Sequence, residues 1–227
     1  LQLTLLTPVV AIALTLVIGA IILATLGYHP GEALYQFFVA PISRPDQVAD
    51  LFVKACPLII IASGLVFAYR ANVWNIGAEG QMILGAMFGG WVALTFPDLS
   101  GWVMMPAMIA MGMLGGFLWA MIPAILKTRF NTNEILVSLM LTYVAALLID
   151  WTVRGPWRDP MSFGFPLSPM YADAALITRV YLPGFGHLGG LHWGVIGALV
   201  IAVAAWFVLA RTLTGFQVKV MGDAPRA

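Results

Sequence analysis

Charge is scarce in this sequence. Asp, Glu, Lys and Arg make up 9% of 227 residues, and eleven Lys and Arg face ten Asp and Glu. So even a balance leaves no basic footprint for nucleic acid. Cysteine occurs once, as Cys56 inside an apolar run, which excludes an intramolecular disulfide. Histidine occurs at 29, 187 and 192, without the His-Glu-x-x-His spacing of a zinc site, and each reads as an interfacial hydrogen-bonding residue. No glycine-rich loop ending in Lys and Ser or Thr is present, so the chain lacks the residues to cradle ATP. Asp150 and Asp159 have no evident catalytic partner.

Apolar residues are what the sequence has in quantity. At 61% hydrophobic and a mean hydropathy of +0.95, the chain counts the lipid bilayer as its solvent. Its fold class is therefore all-α, a polytopic helical membrane protein. Runs approaching the ~20 residues needed to cross a bilayer lie at about 6–26, 48–69, 78–96, 102–126, 131–153 and 193–210, giving about six spanning helices. They form a single transmembrane domain over 1–227. Leu1 is not an initiator Met and the polar end from Gly222 trails off, so a piece lacking both ends is expected.

Local signals refine the spans. The patch 33–39 between Pro30 and Pro41 reads as an interfacial helix, and Pro57 should kink the second span. Gly85 and Gly89 in the third span have the spacing that lets two helices approach closely. The methionines of the fourth span, from Met104 to Met113, read as adaptable packing. Asn131 with Glu134 three positions later matches a capping box opening the fifth span. The connection 154–192 is long and polar enough to suggest a function of its own. With the first end inside, Arg70, Lys127, Arg129, Arg211, Lys219 and Arg226 fall in short, dense inner connections, so both ends are taken as cytoplasmic.

One polar stretch interrupts this pattern. Residues 71–81 set Asn72, Trp74, Asn75, Gly77, Glu79, Gly80 and Gln81 between two apolar runs. Lipid offers no partners to unpaired backbone groups, so a broken or re-entrant helix there survives only where protein or a watery cavity surrounds it. If Asn75 caps the following helix, the amides of Gly77 and Ala78 sit free at a positive helix end. Asn75, Glu79 and Gln81 then offer donors and acceptors suited to a neutral polyhydroxylated or heterocyclic solute. A second reading stands beside it, in which Glu79 pairs with Arg70 or with backbone amides and only holds the break in shape.

The run Asn72-Val73-Trp74-Asn75-Ile76-Gly77-Ala78-Glu79-Gly80-Gln81, the turn Lys127-Thr128-Arg129-Phe130-Asn131-Thr132-Asn133-Glu134 and the loop Gly155-Pro156-Trp157-Arg158-Asp159-Pro160 together resemble permease subunits of bacterial ABC importers. The resemblance is to the branched-chain amino acid, ribose and nucleoside group, in its simple-sugar and nucleoside branch. It implies an inner-membrane subunit, not an enzyme, working by alternating access. It also implies a second permease subunit, an ATP-binding subunit carrying ATP and Mg, and an extracytoplasmic substrate-binding protein. The stretch from about 212, with Gly222, Asp223 and Arg226, resembles the start of the loop that docks on the ATPase, Asp223 standing where Asn is usual. Trp157, Arg158 and Asp159 are then docking or gating residues, against the alternative of an aromatic-anchored interfacial cap. An ion-coupled secondary transporter or a channel would use similar broken helices, though no inverted repeat is evident.

Overall fold

The computed structural model describes residues 2–183 and 186–223. Its helices are α1 (Gln2–Thr25), α2 (Pro30–Leu34), α3 (Ala40–Ser43), α4 (Pro45–Arg70), α5 (Ala78–Thr95), α6 (Gly101–Phe130), α7 (Glu134–Arg154), α8 (Trp193–Arg211) and α9 (Leu213–Asp223). A π-helical turn, Tyr35–Val39, joins α2 to α3, so the patch 33–39 is helical. The six long helices sit where the apolar runs place them. Five of them, α1, α4, α6, α7 and α8, are long and apolar enough to cross a membrane. The sixth, α5, has 18 residues and carries Glu79 and Gln81 in its first turn, which makes it less apolar.

A small sheet was not legible beforehand. Strands β1 (Arg179–Leu182) and β2 (Gly186–His192) pair antiparallel, Arg179 opposite His192 and Leu182 opposite Gly186, with an irregularity between Arg179 and Tyr181.

The chain divides into two compact units. In the first, the residues up to Cys56 associate with Arg179–Val195. There the Gly190 N–H donates to Asp50 Oδ1 at 2.7 Å, and the Cys56 thiol donates to the Gly194 carbonyl at 3.3 Å. Gly189 has a φ of +50°, and a Cβ on it would strike the Asp50 carboxylate and the Asp46 carbonyl. Only glycine lets β2 sit this close to the first turns of α4.

The second unit, Pro57–Thr178 with the residues from Ile196 onward, holds the helices around the polar stretch. Here α5 and α6 meet backbone to backbone. A Cβ on Gly85 would lie 3.0 Å from the Gly112 carbonyl, and one on Gly89 3.0 Å from the Met108 carbonyl. Close backbone approach of this kind lets van der Waals packing hold helices together where lipid gives no hydrophobic drive. At the far end of the pair, Val92, Ala93, Met104 and Ala175 form a buried cluster, with Met104 fully enclosed. Met104, Met108 and Met111 pack there, whereas Met113 is exposed.

Candidate functional site

The polar stretch is the connection between α4 and α5, and its geometry starts with how α4 stops. Asn72 takes the left-handed conformation at φ 57°. The Val73 N–H donates to the Ala68 carbonyl at 2.9 Å, and the Asn72 N–H to the Tyr69 carbonyl at 3.1 Å. This double closure satisfies the last carbonyls of α4. Asn72 Oδ1 also accepts the Trp74 indole N–H at 3.2 Å, and the Trp74 ring lies 5.3 Å from that of Tyr69. So Asn72 shapes the turn and positions Trp74.

Asn75 does not cap α5 as the sequence suggested; Gly77 holds the cap position with no side-chain bond, and Asn75 braces the connection just before it. Its Oδ1 accepts the Gly77 N–H at 3.0 Å, and its Nδ2 donates to Gln81 Oε1 at 3.2 Å. The helix begins at Ala78 with Gly77 as the preceding residue, so the expectation of a free Gly77 amide is corrected: that N–H is already taken by Asn75. The connection is pinned to α7 as well, because the Ile76 N–H donates to Ser138 Oγ at 3.3 Å. Gly77 and Gly80 are buried where α5 meets α7. A Cβ on Gly77 would fall 2.7 Å from the Ser138 carbonyl, and one on Gly80 3.0 Å from Thr142 Cα and 3.2 Å from Trp119 Nε1.

The connection between α6 and α7 also turns on a left-handed asparagine, and here the capping assignment needs correcting. Asn131 is not the cap of α7. It ends α6 in the left-handed conformation, its N–H donating to the Lys127 carbonyl at 3.0 Å. Asn133 is the cap, its Oδ1 accepting the N–H groups of Ile135 and Leu136 at 3.0 and 3.4 Å. Glu134 therefore opens α7 instead of sitting a turn inside it, and there its Oε2 lies 2.8 Å from Lys127 Nζ.

Two cavities share the Asn75–Gln81 pair in their walls. The larger, about 520 Å³, runs between α4, α5 and α6 along Pro57, Gly64, Ala68, Met82, Gly116 and Phe117. The smaller, about 260 Å³, is bounded by Trp74, Pro123, Lys127, Glu134 and Ser138. Both are lined by Ala68, Asn75, Gln81 and Ala120. Two primary amides thus stand in the wall shared by two largely apolar spaces, where they offer N–H donors and C=O acceptors without net charge.

The other anticipated residues fall elsewhere. Glu79 is exposed, lines neither cavity, and makes no ion pair among the described residues. At the opposite end of α5, Trp157 joins Met87, Phe88, Trp91 and Met111 around an apolar cavity of about 390 Å³. Asp159 organises its loop, with Oδ1 accepting the Met161 N–H at 2.9 Å, while Arg158 is exposed. Gly222 packs directly against the Arg70 carbonyl, Asp223 is the last residue of α9, and Arg226 lies outside the described residues. Sequence reading missed Ser138, Lys127 and Glu134 as parts of this site. Ser138, a lone hydroxyl between Val137 and Leu139, was the available signal.

Residues 47–227 match the family described as branched-chain amino acid transport system, permease component. The chain belongs to this family. It is a family of transport components and not of enzymes, and with five apolar spans among the described residues this member is a multi-pass protein of the plasma membrane. Among curated relatives of this permease-family chain, the glucose ABC transporter permease protein TsgB13 of Haloferax volcanii is 33% identical over 97% of the chain and 59% of the relative. The guanosine ABC transporter permease protein NupP of Bacillus subtilis is 28% identical over 96% of the chain and 61% of its own length. The nucleoside ABC transporter permease protein NupB of Lactococcus lactis is 26% identical over 98% of the chain and 62% of its own. The chain thus spans about 60% of the length of these relatives. No solved structure matches it.

Proposed function

We propose that this chain belongs to a membrane-spanning permease subunit of an ATP-driven importer, carrying a nucleoside or simple sugar by alternating access. The observation that carries the reading is the Asn75–Gln81 amide pair, which lines two cavities at once. A neutral solute bearing hydroxyls or ring nitrogens replaces its lost water with hydrogen bonds from uncharged amides, and needs no counter-charge. Relatives named for guanosine, nucleosides and glucose support that class. A second permease subunit, an ATP-binding subunit holding ATP and Mg, and an extracytoplasmic binding protein complete the assembly. Closure of the ATPase drives the permeases between outward-open and inward-open states, and no chemistry is done on the solute.

In cells stripped of other uptake routes, the complete operon should import radiolabelled guanosine or glucose, and a phosphate-loop lysine variant of the ATPase should abolish uptake. Transport that persists in the ATPase variant and follows a proton or sodium gradient would overturn the reading in favour of a secondary transporter.

A further inference from the structure

Beyond the solute route, a second groove in the same unit has a different chemistry. It measures about 500 Å³ and lies between α4, α8 and α9. Its walls are apolar, with Ala62, Val66, Ala202 and Ala205 beside the larger Leu209 and Trp206, and its polar groups are few. The Ser63 hydroxyl donates to the Ile59 carbonyl at 2.7 Å, so its hydrogen is already used within α4. The remaining charged lining groups are Arg70 and Lys219, both exposed, and no carboxylate shares the lining. Neither cation has an ion pair among the described residues.

The two cations are held at one end of the groove by backbone packing. Arg70 is the last residue of α4. The chain turns sharply after Arg211, where Gly215 fits against the Val208 and Leu209 carbonyls, and α9 then runs until Gly222 abuts the Arg70 carbonyl. Lys219 is thereby carried to the same mouth as Arg70. This is the end that the Lys and Arg bias assigns to the cytoplasm.

We propose that this groove binds one anionic phospholipid, with its phosphate between Arg70 and Lys219 and one acyl chain along α4 and α8. Length selects the occupant. From Ile59 to Arg70 the groove follows eleven residues of helical rise, about 17 Å, which is close to half of the ~30 Å hydrocarbon core. A single lipid leaflet has that depth, whereas another spanning helix would need a seat twice as long. Paired cations at the cytoplasmic ends of spanning helices attract anionic headgroups.

The test uses the full-length permease purified in mild detergent and titrated with phosphatidylglycerol or phosphatidylcholine, with retained lipid counted by native mass spectrometry. One phosphatidylglycerol per chain should be retained in preference to phosphatidylcholine. The double variant Arg70→Gln with Lys219→Gln should weaken that retention roughly thirty-fold. Ala205→Leu fills the groove, keeps both cations, and should also lower it; this variant decides the matter if the double variant does not fold. Equal retention of the two lipids, or unchanged phosphatidylglycerol in both variants, overturns the proposal. So does displacement by millimolar inorganic phosphate, which would mark a free-anion site. Cross-linking of an Ala205→Cys variant to a later segment or to a second copy would overturn the proposal in favour of a protein occupant.

Discussion

Asn75 and Gln81 are joined by a 3.2 Å hydrogen bond from Nδ2 to Oε1, while the other end of the Asn75 amide holds the Gly77 N–H. One side chain therefore braces the chain just before α5 and fixes the orientation of the second amide in the wall that both cavities share. Replacing it separates the two roles. Asn75→Ala removes both, and loss of the bond to the Gly77 N–H should cost about 1 kcal/mol. Asn75→Asp keeps an acceptor for Gly77 next to a positive helix end, but loses the donor to Gln81. The aspartate variant should melt within about 0.5 kcal/mol of wild type and import the solute at least tenfold more slowly. Wild-type uptake by Asn75→Asp would show that the pair does not meet the solute.

Gly77 answers a different question, that of how tightly α5 must sit on α7. A methyl group there would lie 2.7 Å from the Ser138 carbonyl and 2.8 Å from its Cβ, both rigid parts of a helix. Since backbone cannot turn aside as a long side chain can, Gly77→Ala should destabilise by about 1–3 kcal/mol. The smaller Ser138→Gly should recover part of that loss in a double variant. Thermal unfolding of the purified protein reads both.

These contacts mark where sequence reading stopped. The helices were visible because apolar runs of membrane length admit few other structures, and the Gly85 and Gly89 spacing already implied a close neighbour. The capping residue of α7 was misplaced by two positions because Asn serves at both kinds of helix end. Asn131 takes the left-handed conformation that closes α6, and Asn133 takes the extended one that opens α7. The hairpin of β1 and β2 carried no alternating pattern, since β2 has three glycines among its seven residues. The meeting of Lys127, Glu134 and Ser138 with Asn75 depends on the packing of α6 and α7 against the connection, which no local window contains.

Glu79 has no ion-pair partner among the described residues and faces outward from α5. Removing it should leave the fold of this chain nearly intact, because no buried partner is orphaned. An ionisable group in the first turn of a helix set between apolar spans nevertheless marks a functional position by default. Glu79→Ala is expected to reach the membrane in normal amount and melt normally, yet to lose uptake. Unchanged uptake kinetics would remove Glu79 from the route.

On the other side, the Tyr171 hydroxyl rests over Gly90, and burial raises its pKa above the ordinary tyrosine value. The sign follows from linkage. The folded state favours the neutral phenol, so this contribution to stability is complete below the unfolded pKa of ~10 and is lost as pH rises through the higher folded value. Tyr171→Phe should therefore flatten the fall in melting temperature above about pH 10. An equally steep fall in the variant would assign the alkaline transition to other groups.

Lys127 and Glu134 form a 2.8 Å ion pair across the connection between α6 and α7, beside the smaller cavity. Their side chains are 44% and 16% exposed, so solvent screening limits the pair to about 1 kcal/mol of stability. Its position matters more than its strength. Each charge also suits its helix end, Lys127 in the last turn of α6 and Glu134 in the first turn of α7. Exchanging them as Lys127→Glu with Glu134→Lys restores the attraction but sets both charges against the helix dipoles. If the pair closes the basic mouth of that cavity, either single neutralisation should raise passive solute leak in proteoliposomes, and the exchange should bring it back down. The exchanged protein should still melt lower than wild type, by about 0.3–1 kcal/mol for each misplaced charge. Leak in the exchanged protein as high as in the single variants would show that the pair secures the turn without closing the route.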